Sequence, residues 1–154
     1  MNKLIFGIIL LAFGVFIAVF STYFVKNIAN TNEKVSLKVG EKNYILDVAK
    51  TSEEQEKGLA KFESIEDNQG MLFMFDNPGR WSFWMKDMKF NIDIIFLDEN
   101  KKVVSLFKNV KSETHANVFD YRKYIPDYDS KYVIELKEGE VEKNKVKLGD
   151  IINF

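Results

Sequence analysis

Trp84, Met85, Lys86 and Asp87 stand in a row, with Asp93 six positions beyond Asp87 and the acids Glu135 and Asp150 further along. An aromatic ring beside a cation and an acid makes a ligand platform, stacking on one surface and hydrogen-bonding at its edge. A plainer role for Trp84 is to lie under the polar, aromatic-rich segment 108–130 as part of a second small core. The acids Asp87, Asp93, Glu135 and Asp150 carry a second chemistry: two carboxyls meeting in one cleft as general acid and base, or as ligands. Each acid also has a structural alternative. Asp93 would accept backbone amides at a strand start, and Asp150 would close a turn beside Gly149. Glu135 alternates outward from Val133, to be solvated or paired with a lysine.

Familiar catalytic signatures are missing: there is no G-x-S-x-G, no H-E-x-x-H, no Walker loop and no G-x-G-x-x-G. With His115 the sole histidine and no cysteine, disulfides, thiol nucleophiles and zinc sites built on His and Cys are excluded. His115 reads as a solvated loop residue. No metal site is assigned and no cofactor is expected, although an all-oxygen site for calcium or magnesium stays open. Three function classes follow. The first is a module binding a small molecule, peptide or envelope polymer through Trp84, Met85, Lys86, Asp87, Asp93 and Glu135. The second is a hydrolase with paired carboxylates. The third is a structural or interaction module in which these residues only shape the fold. Whether the chain is an enzyme stays open.

These side chains need strands to hold them. Val35–Val39 and Tyr44–Ala49 alternate apolar and polar around Gly40-Glu41-Lys42-Asn43, the pattern of a hairpin whose inward set is Val35, Leu37, Val39, Tyr44, Leu46 and Val48. Thr51-Ser52-Glu53-Glu54 is a capping box, and Gly58 stands where a short helix would end with positive φ. Met71–Phe75 reads as a buried strand, Asp76–Gly79 as a type II turn, and Trp81–Lys86 as the next strand, with Trp81, Phe83 and Met85 on one face. Strands are also expected at 92–97, 102–107, 132–136 and 146–152. The total is seven or eight short strands and one short helix. The expected class is therefore mostly β (α+β), a single small barrel-like or strongly bent mixed sheet.

Residues 4–25 form 22 uncharged residues, fifteen of them Leu, Ile, Phe or Val. That length spans a bilayer core of roughly 30 Å. The fifteen favour insertion by roughly 5–9 kcal/mol. A cleaved signal peptide is the alternative, in which case the domain is secreted, but the run exceeds the usual apolar region and no A-x-A site follows. The division expected is an anchor over 1–25, a polar linker over 26–34 and a β-rich domain over 35–154. The short amino-terminal tail favours a domain held outside the cytoplasm at the cell membrane. Over residues 27–154, 20 basic and 23 acidic residues are interspersed for a net charge of −3. That distribution offers no footprint for nucleic acid.

A set of ordered pieces carries a resemblance: Gly58-Leu59, Gly70-Met71-Leu72-Phe73-x-Phe75, Phe83-Trp84-Met85-Lys86, Asp93-Ile94-Ile95-Phe96-Leu97-Asp98, Tyr132-Val133-Ile134-Glu135-Leu136 with Gly139, and Gly149-Asp150. Across residues 48–152 the chain resembles the domain of unknown function 192 family. The resemblance implies a compact, mostly β, barrel-like domain, often exported, and implies no activity. The chain departs from the family pattern at Ala60, Asp87, Met88, Asn91 and Ile92. Most of these departures fall within Trp84–Asp93.

Overall fold

The structure is a computed structural model that describes residues 15–17, 19–20, 33–113, 115 and 117–154. Residues 15–17 and 19–20 are helical and exposed, and among the described residues no helix is long and apolar enough to cross a membrane. The rest of the span expected over 4–25 lies outside the described residues. Glu33–Phe154 form a compact unit of their own.

That unit is one six-stranded mixed sheet with a few short helices. Its strands are β1 (Lys34–Val39), β2 (Lys42–Ala49), β3 (Gln69–Gly79), β4 (Ile92–Leu97), β5 (Val103–Val110) and β6 (Ser130–Lys137). In space they run β1-β2-β3-β6-β4-β5, with β2 parallel to β3 and every other pairing antiparallel. The expected barrel is not formed. β1 and β5 lie at opposite edges and do not pair with each other, so the sheet is open. Closure is unnecessary because both faces of the central strands are covered, which is also why β4 is buried at all six positions.

Alternation sorts the side chains onto the two faces. Met71, Phe73, Ile92, Ile94, Phe96 and Val133 point to one, where Leu59, Phe83, Met85 and Tyr124 cover them. Leu46, Leu72, Ile95, Leu97, Ile134 and Leu136 point to the other, under Val141, Val146 and Ile152. The β1–β2 hairpin follows the predicted alternation, with Leu37, Val39, Tyr44, Leu46 and Val48 buried and Val35 half-buried.

The predicted capping box is present: Glu54 N–H donates to Thr51 Oγ1, and Glu54 Oε2 accepts from the Thr51 amide. It starts helix α1 (Ser52–Lys57), which Gly58 ends at φ +49°, followed by a 3-10 turn over Gly58–Lys61. Gln55 Nε2 donates to the Met74 carbonyl at 3.0 Å and ties α1 down onto β3. A second helix, α2 (Glu140–Lys143), follows Gly139.

Three local expectations are corrected. Asp76–Gly79 is not a turn. β3 continues to Gly79, which pairs with Ser130 after a register shift that accommodates the missing N–H of Pro78. Trp81–Lys86 is not a ladder strand. It keeps its period-two alternation but pairs with the chain at one bridge, Phe83 with Tyr124. The terminal strand over 146–152 reduces to one bridge, Ile151 with Lys102, because the chain turns at Gly149 (φ +92°).

Gly70 of β3 pairs with Leu136 of β6 in a site with no room for a side chain. A Cβ built there would lie 2.2 Å from the backbone oxygen of Glu135 and 3.0 Å from Leu46 and Leu136 side-chain carbons. Because backbone on a central strand cannot yield as a side-chain tip can, Gly70→Ala is expected to cost roughly 3 kcal/mol. A urea titration checks this, and an unchanged midpoint would refute the close approach.

Candidate functional site

Above the first face of the sheet, α1 and its 3-10 turn lie on one side and the irregular 81–88 segment on the other. Between them is a pocket of about 140 Å³, lined by Gly58, Leu59, Phe73, Phe75, Trp81, Phe83 and Trp84, with Glu135 as its floor. A larger groove of about 490 Å³ shares Glu56, Lys57, Ala60, Trp84 and Lys86 with the pocket and adds Glu53, Lys61 and Asp87.

The walls are aromatic and held by one another. Phe75 and Trp81 stack at 4.1 Å, with ring planes 9° apart. Phe83 stands edge-on to Phe73, Phe75 and Phe96 at 4.9, 6.4 and 5.5 Å. Edge-to-face contacts at these separations lock ring orientation, so the pocket is preformed by packing.

Glu135 is placed contrary to the sequence expectation. It is only 4% exposed, and no lysine pairs with it among the described residues. β6 is one of the two central strands, and α1 with the turn after it roofs the face to which Glu135 points, so alternation away from Ile134 leads into the interior. Burial pushes its carboxyl up to about 8, offset in part by the Leu59 amide, which donates to it. Its Oε2 has no hydrogen-bond partner among the described residues. Gly58 contributes to this arrangement: a Cβ at that position would sit 3.4 Å from Phe73 and 3.9 Å from Glu135 Oε2, in the space above the carboxyl. A buried carboxyl with one oxygen unpartnered costs free energy that the fold would ordinarily remove by substitution or pairing.

The other predicted residues fall in three places. Trp84 and Lys86 lie on the pocket wall, half-buried, and Asp87 lies on the adjoining groove, exposed and 3.6 Å from Lys86 Nζ. Met85 is fully buried in the core and contributes packing. Asp93 is on the opposite face of the sheet from Glu135, where its two oxygens accept from the amides of Asn109 and Val141 at 2.8 Å each. It therefore has the backbone-capping role the sequence suggested as its alternative. A catalytic pair of Asp93 and Glu135 is ruled out by the sheet between them. Asp150 accepts from the Lys147 amide in a turn.

The 108–130 segment covers part of Trp84. Tyr121 packs against the Trp84 ring at 6.4 Å, Lys123 Nζ lies 3.5 Å above the ring centroid, and His115 stands edge-on to Tyr121 at 4.8 Å. One side of Trp84 thus belongs to a small aromatic cluster while the ring also borders the pocket. Reading the sequence alone missed the aromatic wall of Phe73 and Phe75 and the part played by Gly58. The signal for both was Gly58-Leu59 standing shortly before an aromatic strand, with an acid inside the apolar run YVIEL.

The comparisons with known proteins agree with this fold. The family model DUF192, described as Uncharacterized ACR, matches residues 35–154. A protein of unknown function from Novosphingobium aromaticivorans DSM 12444 superposes with a TM-score of 0.66 at 24% identity, covering 80% of this chain and 85% of that one. A proposed transcription regulator from Sinorhizobium meliloti 1021 superposes with a TM-score of 0.68 at 22% identity, covering 80% of this chain and 93% of that one. At these identities the likeness is one of fold alone. No curated protein matches the chain.

Proposed function

The chain belongs to the DUF192 family, and from that premise we propose that its domain is a small-ligand-binding module whose ligand seats in the aromatic pocket over Glu135. The observation that carries the reading is the Glu135 carboxyl, buried on a central strand, with one oxygen lacking a partner, at the floor of a preformed pocket. Neither packing nor the sheet needs an acid at this position. A ligand that supplies the missing hydrogen bond accounts for its presence.

Trp84 forms the rim between pocket and groove, so it contributes contact area to a ligand without being part of the central core. Trp84→Ala is expected to weaken binding about tenfold or more, as loss of a buried aromatic anchor does, while the unfolding midpoint changes little. A fragment screen followed by ligand-observed NMR on both proteins checks this. Equal binding by the variant would remove Trp84 from the site.

We further propose that residues 4–25 anchor the domain to the cell membrane with residues 33–154 outside the cytoplasm. The support is the uncharged 22-residue run of the sequence. Protease added to intact cells should then digest the domain and leave a cytoplasmic control untouched. Full protection until lysis would refute the orientation.

A further inference from the structure

Resting on the pocket reading above, we propose that the ligand is a small primary ammonium on a short apolar stem, with Glu135 as its counter-ion and the ring faces around it as its cradle. Among the described residues the buried Glu135 Oε2 lacks a donor and the buried Trp81 Nε1 on the same wall lacks an acceptor; an ammonium, a compact group with three donors and a positive charge, meets the first. Phe73, Phe75, Trp81, Phe83 and Trp84 supply no side-chain acceptor that would compete for it, and aromatic faces attract cations. Trp84 already does so within this chain: the ammonium groups of Lys123 and Lys86 lie 3.5 and 5.8 Å from its ring centroid.

The ionisable groups that share the pocket wall are Glu56 and Lys57 of α1 and Lys86 of the 81–88 segment; the pocket-facing residues of β3 are aromatic. Both lysines are engaged elsewhere, Lys57 with Glu53 at 2.8 Å and Lys86 with Asp87 at 3.6 Å. An anionic ligand would oppose the ionisation of Glu135 and meet Glu56 on the same wall, where both lysines already have a neighbouring carboxylate. Size agrees as well. A cavity of about 150 Å³ admits a benzene-sized molecule, and the pocket here is about 140 Å³. The larger groove leaves room for whatever continues from the stem.

A proton balance distinguishes this ligand from its alternatives. Without a cation Glu135 holds its proton to about pH 8. When an ammonium binds, the carboxylate becomes the favoured form, and at pH 6.5 the proton leaves Glu135 for the buffer while the ligand keeps its charge. A neutral ligand accepting from the protonated acid releases none, and a carboxylate ligand takes none from Glu135 and opposes its ionisation.

The experiment is calorimetric titration of the full-length chain in mild detergent with n-butylammonium, n-butanol and butyrate, in two buffers of different ionisation enthalpy at pH 6.5. The expected result is that n-butylammonium binds at least roughly thirtyfold more tightly than n-butanol, with release of close to one proton per ligand. Glu135→Gln should abolish both the preference and the proton release. Preferential binding of n-butanol or butyrate would overturn the ammonium assignment while leaving the pocket as a binding site. If none of the three shifts the indole NMR signals of Trp81 and Trp84 at saturating concentration, the ammonium assignment fails. If a fragment screen shifts neither indole, the pocket reading fails with it.

Discussion

Glu135→Gln is expected to make the domain more stable at pH 7 by up to about 3 kcal/mol, roughly 10 °C in midpoint, while impairing what the pocket does. The sign follows from the carboxyl. In the unfolded chain it titrates near the ordinary 4.5, and in the folded chain burial holds it at about 8. Below pH 4.5 it is neutral in both states and burying it incurs no ionisation cost. Between 4.5 and 8 the unfolded chain gives up its proton and the folded chain does not, so stability falls by about 1.4 kcal/mol per pH unit. Above 8 the penalty is constant. A glutamine has no such titration. Wild type and variant should therefore be close at pH 4 and diverge as pH rises, in urea unfolding followed from pH 4 to 9. The glutamine amide meets the same shortage of partners, which makes the figure an upper bound. Parallel curves, or a less stable variant at pH 8, would contradict the placement of Glu135.

The second large effect has the opposite sign and lies on the other face. Glu140 is 0% exposed, as Glu135 nearly is, but its carboxylate is fully engaged. Lys42 and Lys143 donate to it at 2.6 and 2.8 Å, and the Tyr44 hydroxyl donates to the oxygen that Lys42 also contacts. Burial alone would raise its pKa; the bonds from Lys143, Lys42 and Tyr44 outweigh that and hold it at about 2. The Tyr44 hydroxyl is correspondingly pushed up, by burial first and then by Glu140. Glu140→Ala should cost about 3 kcal/mol or more at pH 7, since it removes that stabilisation and takes the acceptor from the buried Tyr44 hydroxyl, which keeps only the bond donated by Asn144 Nδ2. The contribution is present in full above 4.5 and is lost as pH falls through 2, so the gap between variant and wild type should close over that window. A gap below 1 kcal/mol at pH 7 would show that Glu140 is not the centre of this network.

The two glutamates also show what was legible in the sequence. The β1–β2 hairpin, the Thr51–Glu54 cap, the helix stop at Gly58 and the 92–97 strand were all readable, because each rests on local period or local backbone chemistry. Asp93 was readable in its structural role for the same reason: an acid at a strand start has amides within reach. Glu135 was not. Period two says only that it points away from Ile134. Whether that direction is solvent or interior depends on α1 and the turn after Gly58 lying over β6, a long-range packing that no local pattern encodes. The barrel expectation failed in the same way. Strand number does not tell whether edge strands meet, and here two covering layers bury the faces that closure would have buried. Glu140 carried no sequence signal at all, since its partners Lys42 and Tyr44 come from a hairpin about a hundred positions earlier.

Set side by side, the two acids separate stability from function. Glu140 stabilises through three donors, and its burial needs nothing further to account for it. Glu135 is held by one amide in an aromatic pocket, and its cost to the fold is what a binding site leaves behind. The most direct measurement is a carbon-13 NMR titration of the Glu135 side-chain carboxyl in the full-length protein from pH 4 to 9. The carboxyl should stay protonated through neutral pH and titrate near 8. Titration in the ordinary carboxylate range would mean that Glu135 already has its partners, and that the pocket holds no unmet carboxyl for a ligand to satisfy.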